Sequence, residues 1–87
     1  MIDTEFDDLV TSRLQTLNVL VSSARSISSA DDYGDMLGAL RLTELAAQQA
    51  RNAVIHEARA AGYAWEDIAL ALGSTTQNAR TKFGGSR

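Results

Sequence analysis

Residues 62–84 read GYAWEDIALALGSTTQNARTKFG, and this run decides the fold. Trp65, Ile68, Ala69 and Leu72 stand at i, i+3, i+4 and i+7, the spacing that puts side chains on one helical face, and Gly73 follows at once as a helix stop. A short turn is expected there. Thr75 then offers a side-chain oxygen to cap a second helix, in which Ala79 and Phe83, one turn apart, share the inward face. Thr76, Gln77, Arg80 and Thr81 are left facing outward. Two short helices joined at a glycine, the second presenting amide, hydroxyl and guanidinium groups, form the arrangement in which a recognition helix enters the major groove of DNA.

The same run resembles the C-terminal motif of small helix-turn-helix DNA-binding proteins common in actinobacteria and their phages, G-x-S-W-x-E-I-x-x-A-L-G-V-S-x-Q-x-A-x-x-R-F. Gly62, Trp65, Ile68, Ala71, Leu72, Gly73, Gln77, Ala79 and Phe83 match as they stand, in a segment that is about a quarter of the chain. Asp67 keeps the charge of the motif's glutamate and Lys82 that of its arginine. Ala64 replaces the capping serine, Ser74 a valine and Thr75 a serine. The resemblance implies a small regulator of transcription.

Composition sets the outer limits. With 87 residues, 45% of them hydrophobic, the chain is one small domain, large enough for a core but not for a deep enclosed site. It contains no cysteine, which excludes disulfides, thiolate metal sites and a cysteine nucleophile, and makes a cytoplasmic location the default expectation. No apolar run approaches the roughly 20 residues of a membrane span. The N-terminus carries Asp3, Glu5, Asp7 and Asp8, the reverse of a signal peptide's basic region.

The net charge of -3 argues against simple polyanion binding, but its distribution matters more. Residues 1–48 hold eight acids and three arginines, whereas residues 49–87 hold five bases and only Glu57, Glu66 and Asp67. From Thr75 onward there are Arg80, Lys82 and Arg87 and no acid. A local positive patch on the second helix and tail follows. Three bases hold DNA weakly, because non-specific affinity comes largely from phosphate neutralisation, so a dimer would serve binding better.

The rest of the chain reads as helices with short breaks, since it has no proline and no Gly/Ser linker. Helix 1 is expected from Thr4, with Asp7 completing a capping box, and carries a heptad-like seam of Val10, Leu14, Leu17, Val21 and Ala24, widened by Phe6, Leu9 and Leu20. The serine-rich stretch Ser26–Ser29 interrupts that pattern, and Ser29 with Asp32 offers a second capping box. Helix 2 then runs from about Ala30 or Tyr33 to Ala61, closed by Gly62, with room for a break near Gly34 or Gly38. Its apolar residues cover more than one face, which requires packing from several sides. The expected architecture is all-α: a helical hairpin for dimerisation over residues 4–48, then a helix-turn-helix DNA-binding part over residues 49–84, about four helices in all.

Catalysis has little to stand on. His56 is the single histidine, mid-helix among alanines, with no partner at metal-ligand spacing. The paired acids Asp7 and Asp8, Asp31 and Asp32, and Glu66 and Asp67 fall in first turns of helices, where they suit the helix dipole. Trp65 and Tyr63 read as packing residues. The glycines at 84 and 85 follow a helix and so form no phosphate-cradling loop. No catalytic residue, metal, cofactor or small-molecule substrate is expected, and the chain is read as a non-enzyme.

The expected function is sequence-specific recognition of double-stranded DNA by a homodimer formed through the N-terminal helices, with no membrane involvement. The expected DNA-binding residues are Thr75, Thr76, Gln77, Arg80, Thr81 and Lys82. The alternative is a helical protein–protein interaction module that does not read DNA directly.

Overall fold

A computed structural model describes residues 4–84 and is all-helical over them: α1 spans Thr4–Ser29, α2 Tyr33–Ala60, α3 Trp65–Leu72 and α4 Thr76–Phe83. Helices α1 and α2 fold back on each other as a hairpin, and α3 packs on α4. Thr4 is the first helical residue of α1, and the cap position before it lies outside the described residues.

The turn between α1 and α2 falls later than the serines suggest. Helix α1 runs through Ser26–Ser29 without interruption, because Ser26 Oγ donates to the Ser22 carbonyl (3.2 Å) and Ser29 Oγ to the Ser26 carbonyl (3.3 Å). These bonds satisfy the hydroxyls inside the helix. Ser29 is therefore not a cap. The cap of α2 is Asp32, whose carboxylate accepts the Asp35 N–H at 2.8 Å. From there α2 continues past Gly34 and Gly38 without a break to Ala60.

Two glycines end helices in the left-handed region that disfavours other residues. At Gly62 (φ 103°) the N–H of Tyr63 bonds to the Ala58 carbonyl (3.0 Å) and that of Gly62 to Arg59 (3.0 Å). At Gly73 (φ 68°) Ser74 N–H reaches Ala69 (2.9 Å) and Gly73 N–H reaches Leu70 (3.3 Å). Both are Schellman closures, in which the chain reverses while satisfying the last carbonyls of the helix. Ser74 contributes its backbone N–H, so the turn closes without an apolar side chain there.

The hairpin contact is built from small residues. On α2 the buried positions are Ala39, Ala46, Ala50, Ala53 and Ile55. Helix α1 buries no residue completely, and its half-buried positions are Phe6, Leu9, Val10, Arg13, Thr16, Leu17, Leu20, Ser23 and Ile27. The contact line thus runs nearer Arg13, Leu20 and Ile27 than the seam read from the sequence, which leaves Leu14 50% and Val21 48% exposed. The rotation has a physical cause. Arg13 Nε donates to Glu57 Oε1 across the two helices, and this pair can form only if Arg13 faces α2.

The helix-turn-helix part adds Ile68, Ala69 and Ala79 to the buried set. Trp65 is half-buried, while Leu72, expected on the inward face, remains 41% exposed. The radius of gyration is 15.5 Å. A compact chain of this length would have about 12 Å, so the molecule is elongated.

Helix α3 starts at a residue that cannot cap it. Ala64 is exposed at the N-cap position, and only half of a capping box is made, with Asp67 Oδ2 accepting the Ala64 N–H at 3.0 Å. Replacing Ala64 by Ser supplies the missing acceptor and should stabilise the fold by about 0.5–2 kcal/mol. Urea unfolding of the Ala64→Ser variant checks this, and an unchanged midpoint would mean that the start of α3 gains nothing from a side-chain cap.

Candidate nucleic-acid interface

The candidate surface is α4 and what lies beside it. Thr75 caps the helix as its sequence suggests, its Oγ1 accepting the Asn78 N–H at 3.1 Å. The Ala79 N–H closes the first turn on the Thr75 carbonyl (2.9 Å), and the Gly84 N–H closes the last on Arg80 (2.8 Å). Ala79 is fully buried and Phe83 half-buried, so the inward face is the one expected. That anchorage aims the opposite face outward.

Gln77, Arg80, Thr81 and Lys82 are exposed. Thr76 is not: it is half-buried, because it opens α4 close to the turn, and it is a poorer candidate for contact than its neighbours. Thr75 is exposed, but its oxygen is already committed to the cap, which leaves its hydroxyl proton as the group it can offer. The backbone N–H groups of Thr76 and Gln77 belong to the first helical turn, where no intrahelical carbonyl is available and the helix dipole favours an anion.

The fold brings in residues that the sequence alone did not single out. Lys82 lines a shallow cleft with Phe83 and the α2 residues Gln48, Arg51 and Asn52, and a neighbouring one with Asn52, Ile55 and His56. Arg51 therefore joins Lys82 as a second described base beside this cleft. Gln48, Asn52 and Ile55 share a helix face by their spacing, a signal present in the sequence but indistinguishable there from an ordinary polar stripe. His56 is exposed and sits at the edge of this surface.

Arg59 secures the junction that orients the unit. Its Nη1 donates to the Tyr63 carbonyl (2.9 Å), and its guanidinium lies 4.8 Å from the centroid of the Trp65 ring. A cation over an indole face is attracted by the ring's quadrupole, so the end of α2 is tied to the start of α3. Trp65 is occupied in packing. Tyr63, expected to pack, is instead 56% exposed. Among the described residues no group of three His, Cys, Asp or Glu side chains is placed to hold a metal ion, and no helix is long and apolar enough to cross a membrane.

No protein-family model matches the chain, and no curated protein or solved structure matches it.

The cap at Thr75 gives a test of how α4 is held. Thr75→Ala leaves the Asn78 N–H without its acceptor and should destabilise the protein by about 0.5–2 kcal/mol, whereas Thr75→Ser should retain most of the stability. Thermal unfolding of the two variants checks the order, and equal melting temperatures would show that the cap contributes nothing measurable.

Proposed function

We propose that the protein binds double-stranded DNA and reads its sequence with α4, as a small regulator of transcription. The observation that carries this reading is one short capped helix that exposes Gln77, Arg80, Thr81 and Lys82, with no acid between residues 75 and 84. The preceding helix and the glycine turn support it, because they hold that face outward at a fixed angle to α3. The resemblance of residues 62–83 to the helix-turn-helix motif points the same way.

The side chains divide by chemistry. Gln77 lies about one turn before Arg80, so both reach the same groove: glutamine pairs bidentately with adenine, and arginine with guanine O6 and N7. Lys82, near the end of α4 and beside Arg51, is placed to hold phosphates, as are the free N–H groups at the start of the helix. Exposed leucines on α2, among them Leu37, Leu42 and Leu45, favour a second reading as a protein–protein interaction module. Binding to mixed duplex that weakens steeply with salt favours the first reading, and no binding at low salt favours the second.

Gln77→Ala and Arg80→Ala should each flatten a selected binding-site profile at one position and cost about 1–3 kcal/mol on the preferred site. Lys82→Ala should weaken all sequences alike and make the salt slope shallower by about one unit per protomer. If Arg80→Ala leaves affinity and preference untouched, α4 does not enter the groove.

A further inference from the structure

The hairpin leaves one of its sides apolar and uncovered. On α1, Leu14 and Val21 are seven residues apart and about half exposed, with Val10 and Leu17 half-buried beside them. On α2, Leu40, Ala47 and Val54 repeat at the same interval, and Leu40 and Val54 are 43% and 42% exposed. The α1/α2 contact line passes through Arg13, Leu20 and Ile27 on one helix and Ala39, Ala46, Ala50 and Ala53 on the other. At about 100° per residue, both rows then fall on the same side of the hairpin. A cleft of about 440 Å³ continues this side toward α3, lined by Val54, Ala58, Ile68 and Leu72 and closed at its polar edge by Arg13 and Glu57. Leu42 and Leu45, on the other side of α2, have no comparable row on α1.

The exposed area states what such a face requires. The accessible surface is 6519 Å² for a chain of 9.3 kDa. A compact monomer of that mass exposes about 5,000 Å², so the excess is roughly 1,500 Å². A standard protein interface removes about 800 Å² from each partner, about half of an excess that is spread over the whole elongated chain.

Charge selects the occupant. Asp7 and Arg25 are 18 residues apart on α1, which is about five helical turns, so they share one azimuth and flank the Val10–Val21 row at opposite ends. Both are exposed, and among the described residues neither makes an ion pair. A two-fold axis passing between Leu14 and Val21 sets Leu14 of one protomer against Val21 of its partner. The same operation sets Asp7 of each chain against Ser28 of the other, three residues or about 4.5 Å from Arg25 and within the span of its side chain. A surface whose charges are complementary to itself under a two-fold is an isologous interface.

We propose that this face is the contact surface for a second copy of the chain, forming a four-helix bundle in which the two α1 helices run antiparallel. The inference concerns assembly and stands apart from DNA binding. Self-association places two helix-turn-helix units in one particle, and it covers the leucine and valine rows that the small alanine seam cannot.

Sedimentation equilibrium of the full chain at micromolar concentration is the test, with Asp7→Arg, Arg25→Asp and the double reversal alongside it. The expected result is a dimer whose dissociation constant rises about tenfold in each single reversal and returns toward the original value in the double one. Both substitutions are at exposed positions, and circular dichroism of the three variants reports whether helicity is kept. A monomer mass for the unaltered chain overturns the proposal. So does a dimer indifferent to both reversals, which would be using another face, and so does a double reversal no tighter than the single ones.

Discussion

Everything in this molecule follows from the packing of α1 against an alanine face on α2. Ala39, Ala46, Ala50 and Ala53 bury almost completely, whereas of the larger side chains among the described residues only Ile55 and Ile68 do. Alanines permit close approach of the helices but remove little apolar area each, and the strong hydrophobic contributions come from fully buried residues of leucine size, at about 1.5–3 kcal/mol apiece. The hairpin therefore holds its helices together along a narrow strip and leaves the larger side chains half-covered on both flanks. The single ion pair described, Arg13 with Glu57, fixes the rotation of α1 about that strip. A long, thin shape and an uncovered apolar side are consequences of the same choice of residues.

The helix-turn-helix part depends on a different economy. Its two helices have eight residues each, too short to persist alone, since isolated helices below about 12–15 residues are marginal in water. They are held by their ends: left-handed glycines at 62 and 73, the Thr75 cap, the Asp67 carboxylate at the start of α3, and the Arg59 guanidinium over Trp65. The buried contacts of Ile68, Ala69 and Ala79 complete the unit. With the inward face of α4 committed to Ala79 and Phe83, its polar face has only solvent or a partner to meet.

Much of this was legible in the sequence because the strongest local signals are chemical. Gly62 and Gly73 stop helices for a steric reason, Thr75 caps because it has an oxygen at the right place, and Ala79 and Phe83 share a face by periodicity; each was read where the fold has it. The start of α2 is open in the sequence between Ala30 and Tyr33 and falls at Tyr33; what fails is the Ser29 cap, because Ser29 and Asp32 are both good caps and only the continued helix through the serines decides between them. The seam of α1 is legible in part: Val10 and Leu17, with Phe6, Leu9 and Leu20 beside them, are half-buried, while Leu14, Val21 and Ala24 are exposed. Its seam was drawn through the most apolar residues, but the ion pair of Arg13 with a residue 44 positions later turns the helix, and a contact at that distance leaves no mark on local periodicity. For the same reason Gln48, Arg51 and Asn52 joined the candidate surface only through the fold.

The function proposed for α4 predicts where duplex DNA must touch the chain. The most direct test is a heteronuclear NMR titration of the protein with a short duplex, following the backbone amides at low and moderate salt. The expected result is a set of shift changes concentrated at Thr75–Lys82, extending to Gln48, Arg51 and Asn52 and weakening as salt is raised. Changes spread along α1 with α4 unaffected, or no change at low salt, would contradict the assignment of α4 as the helix that enters the groove.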